Sequence, residues 1–353
     1  RDRNKVEKKS PNFPFGLLGA KSYIKYEPLG TVGMISPWNF PVNLAFVPLV
    51  SIFAAGNQVM HKPSEHTPIT SSLLKDLCDK SYDENEFATC LGGPEVGESF
   101  TQLKFDHLLY TGGGSVAKHV MNAASKNLVP CTLELGGKSP VVIGKSADLK
   151  TTAKRIMFGK TLNAGQICLA PDYVVVHKDQ KDEFIKETKD AVSQYYPSLK
   201  DNEDYTSVIN QKHYDRLKDL LDDAIEKGAH VDEINPSNED FSQQEFYKIP
   251  PTIVTNTTDD MKIMQEEIFG PLLPVVEYDE IGEATALINS KDKPLGLYYF
   301  GNNTAEENDL LNKTSSGGVT VNNVISHLQQ NDLSFGGVGP SGMGRYKSFE
   351  VFK

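Results

Sequence analysis

The chain contains 353 residues, 39% hydrophobic and 24% charged, a composition typical of a globular protein with room for two domains. Its formal net charge of -11 disfavours nucleic acid or an anionic membrane as a partner, because the overall field would repel either one. The 4 cysteines lack a C-x-x-C spacing and, with the 8 histidines, form no zinc-binding pattern, so we expect free thiols, a reducing compartment and no metal. No apolar run is long enough to span a bilayer and no secretory signal is apparent, so we expect a cytoplasmic protein.

Residues 1–30 predict an N-terminal segment that carries an extended arm. Residues 1–10 are charged and aperiodic, which favours a frayed terminus. Residues 11–28 are rich in proline, glycine and aromatic side chains and include a strand-like run at residues 22–26. Such an arm often pairs with another element or with another subunit.

A buried strand is predicted over residues 31–35, and it leads into the turn Ser36-Pro-Trp-Asn-Phe-Pro41. Two prolines prevent regular structure in this turn. Asn39 therefore lies on a rigid loop, from which its side-chain amide can donate a hydrogen bond to a fixed point. The alternative, that Asn39 caps the helix predicted over residues 42–55, is equally compatible with the pattern.

A second predicted strand ends at Lys62, and Glu65 follows in a turn bounded by prolines. In an open α/β sheet, ligands bind at the carboxyl ends of the strands, so this cation and this carboxylate could hold ribose hydroxyl groups. The alternative is an ordinary ion pair on a solvated loop. A helix is predicted next, over residues 69–80.

A glycine turn follows the strand predicted over residues 105–111. Its sequence is Gly112-Gly113-Gly-Ser-Val-Ala117, and a helix is predicted over residues 116–125. In this context, bare glycine amides and a helix N-terminus can bind a pyrophosphate. The usual spacing of about 20 residues from such a turn would place a ribose-binding acid at Glu134.

Glu134 lies between two leucines in a predicted strand, just before a pair of glycines. Loss of solvent there would raise the pKa of the carboxyl group toward neutrality, as a general base at physiological pH requires. A structural ion pair is the alternative.

Cys168 is the strongest candidate for a reactive group. A helical pattern from residue 151 leads into the small-residue loop Asn163-Ala-Gly-Gln-Ile-Cys168-Leu-Ala-Pro-Asp172. Gly165 lets a backbone approach a bound molecule closely, and small neighbours leave the sulfur accessible. A lone intracellular cysteine is more often a small buried hydrophobe, and the other segments decide between the two interpretations.

The remaining pattern alternates between strands and helices. The predicted elements are a strand at 173–177, amphipathic helices from about Lys181 and Lys212 with a stop at Gly228, a surface loop at 232–245, a strand at 250–254, a helix end at 264–271 containing Glu267, a strand at 319–322 and a glycine-dense loop at 335–344.

Six motifs in this chain resemble those of the aldehyde dehydrogenase superfamily, in the same order and over nearly the whole chain. They are Ser36-Pro-Trp-Asn-Phe-Pro41, Lys62-Pro-Ser-Glu65, Leu133-Glu-Leu-Gly-Gly-Lys138, Gly165-Gln-Ile-Cys168, Glu266-Glu-Ile-Phe-Gly-Pro271 and Ser334-Phe-Gly-Gly337. Three further runs resemble the class 3, fatty aldehyde and coniferyl aldehyde branch, which favours hydrophobic aliphatic or aromatic aldehydes. These runs are Cys168-Leu-Ala-Pro-Asp-Tyr173, Ser315-Ser-Gly-Gly-Val319 and Val321-Asn-Asn-Val-Ile-Ser-His327.

The resemblance implies an α/β fold with a Rossmann-like open-sheet cofactor domain, a second α/β catalytic domain and a partial β-arm for oligomerisation. The implied boundaries are residues 1–30 for the N-terminal segment with its arm, 31–135 for the NAD(P)-binding domain, 136–333 for the catalytic domain and 334–353 for a C-terminal return segment. The arm is similar to the family's subunit-bridging hairpin, so we expect a homodimer.

The resemblance also implies a role for each matching residue. Cys168 would be the nucleophile, Glu134 the base that activates water, and Asn39 the oxyanion donor together with the Cys168 backbone N–H. The cofactor would be held by Trp38, Lys62, Glu65, Gly112, Gly113, Glu267 and Phe269, and the aldehyde would contact Phe335. NAD is the favoured cofactor because a carboxylate such as Glu65 repels a 2′-phosphate, with NADP as the alternative.

Two departures from the family pattern affect the glycine turn, where Gly113 replaces a serine and Ala117 replaces the final glycine. Two other functions are compatible with the fold. A CoA-acylating relative would typically lack the base that Glu134 supplies. A catalytically silent binding protein would have no reason to retain Cys168, Asn39 and Glu134 together.

Overall fold

The computed structural model describes residues 6–347, which form two compact units. The first unit extends to Thr111, includes Ser115–Thr132 and takes up the chain again at Arg345. The second contains Gly112–Gly114 and Leu133–Gly344. Among the described residues, no helix is both long enough and apolar enough to cross a membrane.

An antiparallel hairpin begins the first unit. β1 (Val6–Lys9) pairs with β2 (Ser22–Lys25), and Lys9 lies opposite Ser22. The strand predicted at 22–26 is confirmed, but the frayed terminus predicted for residues 1–10 is wrong over β1, and residues 1–5 lie outside the described range. β1 forms because β2 supplies its hydrogen-bonding partners, a long-range pairing that a charged, aperiodic run does not reveal.

A parallel sheet covered by helices follows the hairpin. Its elements are β3 (Thr31–Ile35), α1 (Asn43–Ala54), β4 (Gln58–Lys62), α2 (Pro68–Ser81), β5 (Phe87–Thr89), α3 (Pro94–Thr101), β6 (His107–Thr111), α4 (Gly114–Ser125) and β7 (Cys131–Glu134). The strand order is β7-β6-β3-β4-β5. Met34, Leu49 and Phe87 lie in its core. Ile35 pairs with Lys62 across β3 and β4, so the loops that follow these two strands begin at the same edge.

The second unit contains a seven-stranded sheet. Its elements are β8 (Pro140–Ile143), α5 (Leu149–Thr161), β9 (Tyr173–His177), α6 (Lys181–Tyr195), α7 (Gln211–Glu226), β10 (His230–Glu233), β11 (Thr252–Thr255), α8 (Lys262–Gln265), β12 (Leu272–Tyr278), α9 (Ile281–Asn289), β13 (Gly296–Phe300), α10 (Thr304–Lys313) and β14 (Gly318–Val321). The order is β10-β11-β12-β9-β8-β13-β14, and only β10 is antiparallel to its neighbour. A two-residue strand, β15 (Gly342–Met343), pairs with the end of β7.

The central strands of this sheet are buried on both faces. Val174, Val175 and Val176 of β9 and all of β8 are almost fully buried. This explains why their sequences are continuous apolar runs rather than alternating ones.

Two predictions in the second unit need correction. The surface loop predicted at 232–245 is wrong at its start, because Asp232 and Glu233 belong to the edge strand β10. The helix end predicted at 264–271 is also wrong. α8 ends at Gln265, Glu266 is extended, and Phe269 has a φ of 48° in the left-handed region, so the helix is not continued to Gly270 and Pro271. Side-chain contacts from distant residues, described below, hold this irregular loop.

Candidate active site

The Cys168 loop follows a left-handed turn at the end of α5. Asn163 and Ala164 have φ values of 50° and 51°, and Gly165 follows at 73°. A Cβ at Gly165 would lie 2.3 Å from the carbonyl oxygen of Gly270, so this position requires glycine. The observed close approach at Gly165 is to the backbone of Gly270. The predicted approach to a bound molecule stays a prediction. Beyond the turn, the Cys168 side chain is partly exposed.

Glu134 ends β7 with only 2% of its surface exposed. Within residues 6–347, neither oxygen of its carboxyl group has a hydrogen-bond partner. The structural ion pair considered above is therefore wrong for the described part of the chain. Burial raises the pKa of Glu134 well above its ordinary value, as the sequence predicted.

Cys168 is electrostatically coupled to two carboxyl groups. Burial and the negative charges of Glu267 and Glu134 raise the pKa of its thiol to about 12. The backbone amides of Cys168 and Leu169 oppose this rise, because they stabilise a thiolate. Cys168 therefore lies within electrostatic reach of two carboxyl groups of its own unit.

Glu267 lies on the irregular loop after α8, against the glycine pair that follows Glu134. A Cβ at Gly136 would lie 2.1 Å from Oε1 of Glu267, so the carboxyl group occupies the space that a side chain would need. Burial and the nearby charge of Asp172 raise the pKa of Glu267 to about 8, against the opposing effects of the Gly137 amide, Lys138 and Arg216.

Two aromatic residues of the second unit were also predicted as site residues. Phe269 is half-buried at the end of the Glu267 loop. Phe335 is buried and stacks on His327, with ring centroids 6.2 Å apart. The hydroxyl of Thr320 lies 2.8 Å from Nδ1 of His327 and orients the imidazole. The sequence analysis did not single out His327 as a site residue, although it lies in a run that resembles the class 3 branch.

In the first unit, Lys62 and Glu65 form an ion pair at 2.7 Å. Lys62 is buried and Glu65 is about one-third exposed on its side chain, at 34%. Burial opposes ionisation of Glu65, but the hydrogen bond from Lys62, a backbone amide and nearby positive charges outweigh it, so the pKa lies below its ordinary value. The pair lies at the carboxyl edge of β4, where a ribose could bind.

Asn39 and Trp38 lie half-buried on the loop after β3. Helix α1 has Val42 at its N-cap, so the alternative that Asn39 caps this helix is wrong. A buried hydrogen bond of 2.7 Å between Ser36 Oγ and His61 Nε2 ties the loop to β4. This hydrogen bond was not predicted, because the serine and the histidine are 25 residues apart and no local sequence pattern indicates their contact.

The predicted glycine turn lies between β6 and α4, as its motif requires. Apart from the adjoining backbone, no heavy atom of residues 6–347 lies within 4 Å of the position that a Cβ would take at Gly113 or Gly114, so a ligand could approach the backbone here. Gly112 N–H donates to the Glu134 carbonyl oxygen at 3.0 Å, which anchors the turn to the end of β7.

Comparison with known proteins identifies the family. Residues 4–353 match the Aldehyde dehydrogenase family. A protein of Caulobacter vibrioides named probable coniferyl aldehyde dehydrogenase is 59% identical over 338 residues, an alignment that covers 96% of this chain and 70% of that protein. The chain belongs to the aldehyde dehydrogenase family. As a member, it is an oxidoreductase that oxidises an aldehyde to the acid with NAD(P)+ through a catalytic cysteine.

Solved structures agree with this assignment. The substrate-bound state of Staphylococcus aureus AldH matches with a TM-score of 0.92 and 40% identity, covering 99% of this chain and 75% of that chain. Betaine aldehyde dehydrogenase of the same species, in complex with NAD+, matches with a TM-score of 0.88 and 28% identity, covering 98% of this chain and 68% of that chain. The fold is therefore that of the aldehyde dehydrogenases, as the motifs predicted.

Proposed function

We propose that this aldehyde dehydrogenase uses Cys168 as its nucleophile and Glu134 as its general base on a hydrophobic aliphatic or aromatic aldehyde. The observation that carries the proposal is the buried carboxyl group of Glu134, which has no hydrogen-bond partner among the described residues and whose charge contributes to the raised pKa of the Cys168 thiol. A buried polar group without a partner is costly, and such groups concentrate where chemistry needs them.

The reaction begins with the loss of the Cys168 proton, for which Glu134 is the candidate acceptor because its raised pKa makes it a stronger base than an ordinary carboxylate. The thiolate adds to the carbonyl carbon, and the new oxyanion accepts hydrogen bonds from the Cys168 backbone N–H and, by resemblance to the family, the Asn39 amide. Bound NAD(P)+ would supply the hydride acceptor and a positive charge that favours the thiolate.

Hydrolysis completes the cycle. Loss of hydride leaves a thioester on Cys168. Glu134 releases the thiol proton to solvent, and its carboxylate then removes a proton from the water that attacks the thioester carbonyl carbon. The carbon–sulfur bond breaks, the acid leaves, and the sulfur is reprotonated. Retention of Glu134 opposes the CoA-acylating alternative, and retention of Cys168 opposes a silent binding protein.

By resemblance to the family, each residue proposed to hold the cofactor has a role that suits its chemistry. Lys62 and Glu65 offer a cation and a carboxylate for the adenosine ribose, and the open space beside Gly113 suits a pyrophosphate. Glu267 would hold the nicotinamide ribose, with Trp38, Gly112 and Phe269 completing the site. NAD is the preferred cofactor because the ionised Glu65 repels a 2′-phosphate, and NADP is the weaker alternative.

Two observations support the proposed aldehyde class. The relative of Caulobacter vibrioides is named for coniferyl aldehyde. In this chain, the stacked rings of Phe335 and His327 offer an apolar surface beside a polar ring edge. Phe335 is the residue proposed to contact the substrate.

We also propose a homodimer that forms through the hairpin arm within residues 1–30. Phe13, Leu17 and Leu18, in the segment between β1 and β2, are 84%, 81% and 78% exposed, a concentration of apolar surface that a second copy could cover. The proposed roles of the other segments are cofactor binding for residues 31–135, catalysis for 136–333 and a return segment for 334–353, of which 348–353 lie outside the described range. The free cysteines favour a cytoplasmic location.

A substrate screen tests the function directly. Coniferyl aldehyde, benzaldehyde and aliphatic aldehydes of increasing length are supplied with NAD+ and NADP+ separately, and reduced cofactor is measured by absorbance. We expect hydrophobic aldehydes with NAD+ to give the highest kcat/KM. Absence of turnover with every aldehyde would contradict the proposal, as would alkylation of Cys168 by iodoacetamide that saturating aldehyde does not slow.

A further inference from the structure

A buried ion pair lies beneath the candidate active site of the second unit. Lys138 and Asp172 pair directly, and their side chains are 7% and 4% exposed. The ammonium group of Lys138 also donates to the carbonyl oxygens of Ile263, at 2.7 Å, and Glu266, at 2.8 Å. All three donors of this lysine are therefore used, two of them on the backbone that leads to Glu267.

Asp172 connects the same pair to two other segments. Its Oδ2 accepts a hydrogen bond of 2.9 Å from the backbone N–H of Ile268, on the far side of Glu267. Its own backbone N–H donates to the Ser139 carbonyl oxygen at 2.8 Å. Since Asp172 ends the Cys168 loop and Lys138 ends the glycine turn after Glu134, one ion pair joins the segments that bear all three candidate groups.

Arg216 of α7 holds the Glu267 loop from another direction. Its guanidinium donates to the carbonyl oxygens of Glu267, at 3.2 Å, and Ile268, at 2.5 Å. Residues 266–269 belong to no helix or strand, so their backbone polar groups need other partners. In place of regular structure, Lys138, Asp172 and Arg216 supply this loop with three carbonyl contacts and one amide contact. Lys138 also holds the carbonyl oxygen of Ile263 in α8.

We propose that Lys138, Asp172 and Arg216 are positioning residues that fix Glu267 relative to Cys168 and thereby set the affinity for the nicotinamide cofactor. None of them touches the reacting atoms. The proposal rests on the cofactor-binding role proposed for Glu267. It predicts that weakening these contacts impairs cofactor binding more than it impairs the reaction of the thiol.

The ion pair can be removed without leaving an uncompensated charge. Lys138→Met alone would strand the Asp172 carboxylate in the interior, and the protein would then lose stability for that reason alone. The double variant Lys138→Met/Asp172→Asn is neutral at both positions, and its amide oxygen can still accept from Ile268 N–H. The matched control is Lys178→Met/Asp279→Asn, which removes a Lys–Asp pair of the same unit that is 52% and 55% exposed.

The test compares three measurements on each protein. Calorimetry gives the Kd for NAD+ without turnover, steady-state kinetics with aldehyde give KM and kcat, and hydrolysis of p-nitrophenyl acetate reports the thiol without cofactor. For the buried double variant, we expect the Kd and KM for NAD+ to rise by about tenfold, with ester hydrolysis within about threefold of wild type. The control should match wild type in all three.

An unchanged Kd for NAD+ in a folded double variant would overturn the proposal, as would equal losses in NAD+ binding and ester hydrolysis, which indicate general structural damage. If the double variant does not fold, Arg216→Met decides the matter, because it removes contacts to the same loop and leaves the buried pair intact. Its Kd for NAD+ should rise by about threefold, and Arg216→Lys should restore part of the loss. Failure of the proposed function is recognised separately, since wild type would then produce no reduced cofactor with any aldehyde.

Discussion

Glu65 in the first unit and Glu134 in the second both carry carboxyl groups near the ends of β-strands, but they differ in burial, in pairing and in the direction of their pKa shifts. Glu65 is paired with Lys62 and partly exposed, and its pKa is lowered. Glu134 is buried without a hydrogen-bond partner in the described structure, and its pKa is raised. The first arrangement suits the binding of hydroxyl groups by a permanent charge. The second suits proton transfer, which requires a group that can change its charge near neutral pH.

The largest expected loss of activity comes from replacing Cys168, the thiol that Glu134 is proposed to deprotonate. We expect Cys168→Ser to lower kcat/KM for aldehyde oxidation by about a thousandfold or more, because a serine hydroxyl is a far weaker nucleophile without a strong adjacent base. Cys90→Ser is the matched control, since Cys90 is also partly buried but lies in the first unit. Steady-state formation of NADH measures both, and near-normal turnover by Cys168→Ser would rule out the covalent mechanism.

Removal of the unpaired carboxyl group should have the next largest effect. Glu134→Gln keeps the shape of the side chain but cannot accept a proton, so we expect kcat to fall by about 100-fold to 10,000-fold. Rapid-mixing experiments should still show NADH release in the first turnover if an external base supplies the thiolate at high pH, because hydride transfer precedes hydrolysis. A variant with wild-type kcat would mean that another group activates the water.

Glu65, the carboxylate paired with Lys62, should affect the preference for NAD+ over NADP+. Glu65→Gln removes the charge that repels a 2′-phosphate, so we expect the ratio of kcat/KM for NADP+ to that for NAD+ to rise by about tenfold. Since Glu65 touches no reacting atom in the proposed mechanism, kcat with NAD+ should change little. Steady-state kinetics with both cofactors test this, and an unchanged ratio would remove Glu65 from the cofactor site.

The smallest effect concerns stability, where the two carboxyl groups should differ in sign. Between the ordinary and the raised pKa of Glu134, the folded protein holds a proton that the unfolded chain releases, so stability falls as pH rises. Glu134→Gln should therefore melt about 2–4 °C above wild type near pH 9, the shift that about 1 kcal/mol produces in a domain of this size. The difference should shrink toward pH 5.

Glu65→Gln provides the opposite control. Because the pKa of Glu65 is lowered, its stabilising contribution is present above the pKa of the unfolded chain and is lost as pH falls through the folded value. This variant should therefore melt slightly below wild type at neutral pH and equal it in acid. Thermal scans of both variants between acid pH and pH 9 test this opposite dependence of the melting temperature on pH. If the melting temperatures of the two variants, relative to wild type, changed with pH in the same direction, the prediction would be contradicted.

The sequence predicted the parts of the site that local patterns encode. The strand at Thr31–Ile35, the glycine turn between β6 and α4 and the desolvated Glu134 were predicted because apolar runs, glycines and flanking leucines act over a few residues. The hairpin partner β1 was not predicted, because a charged run becomes a strand only when its partner is known. The proposed roles of the site residues still await the experiments above.

The buried contacts of Lys138 and Asp172 were not predicted either, because they also join residues that are far apart in the sequence. Lys138 and Asp172 are 34 residues apart, and Lys138 reaches Ile263 and Glu266 over more than 120 residues. Lys138 and Glu266 stand inside recognised motifs, but a motif does not state which of its members meet in space. A lysine flanked by apolar segments and glycines is only a weak indication of a buried ion pair, because its partner is distant in the sequence.

The contact between Gly165 and the carbonyl group of Gly270 limits how this enzyme can diversify. Two backbone segments meet there with no side chain between them, so the distance between the Cys168 loop and the Glu267 loop is fixed by backbone contact. Any larger residue at position 165 would push both loops apart at once. Any substitution that changes the substrate preference of this enzyme would therefore have to leave the spacing between these two loops unchanged.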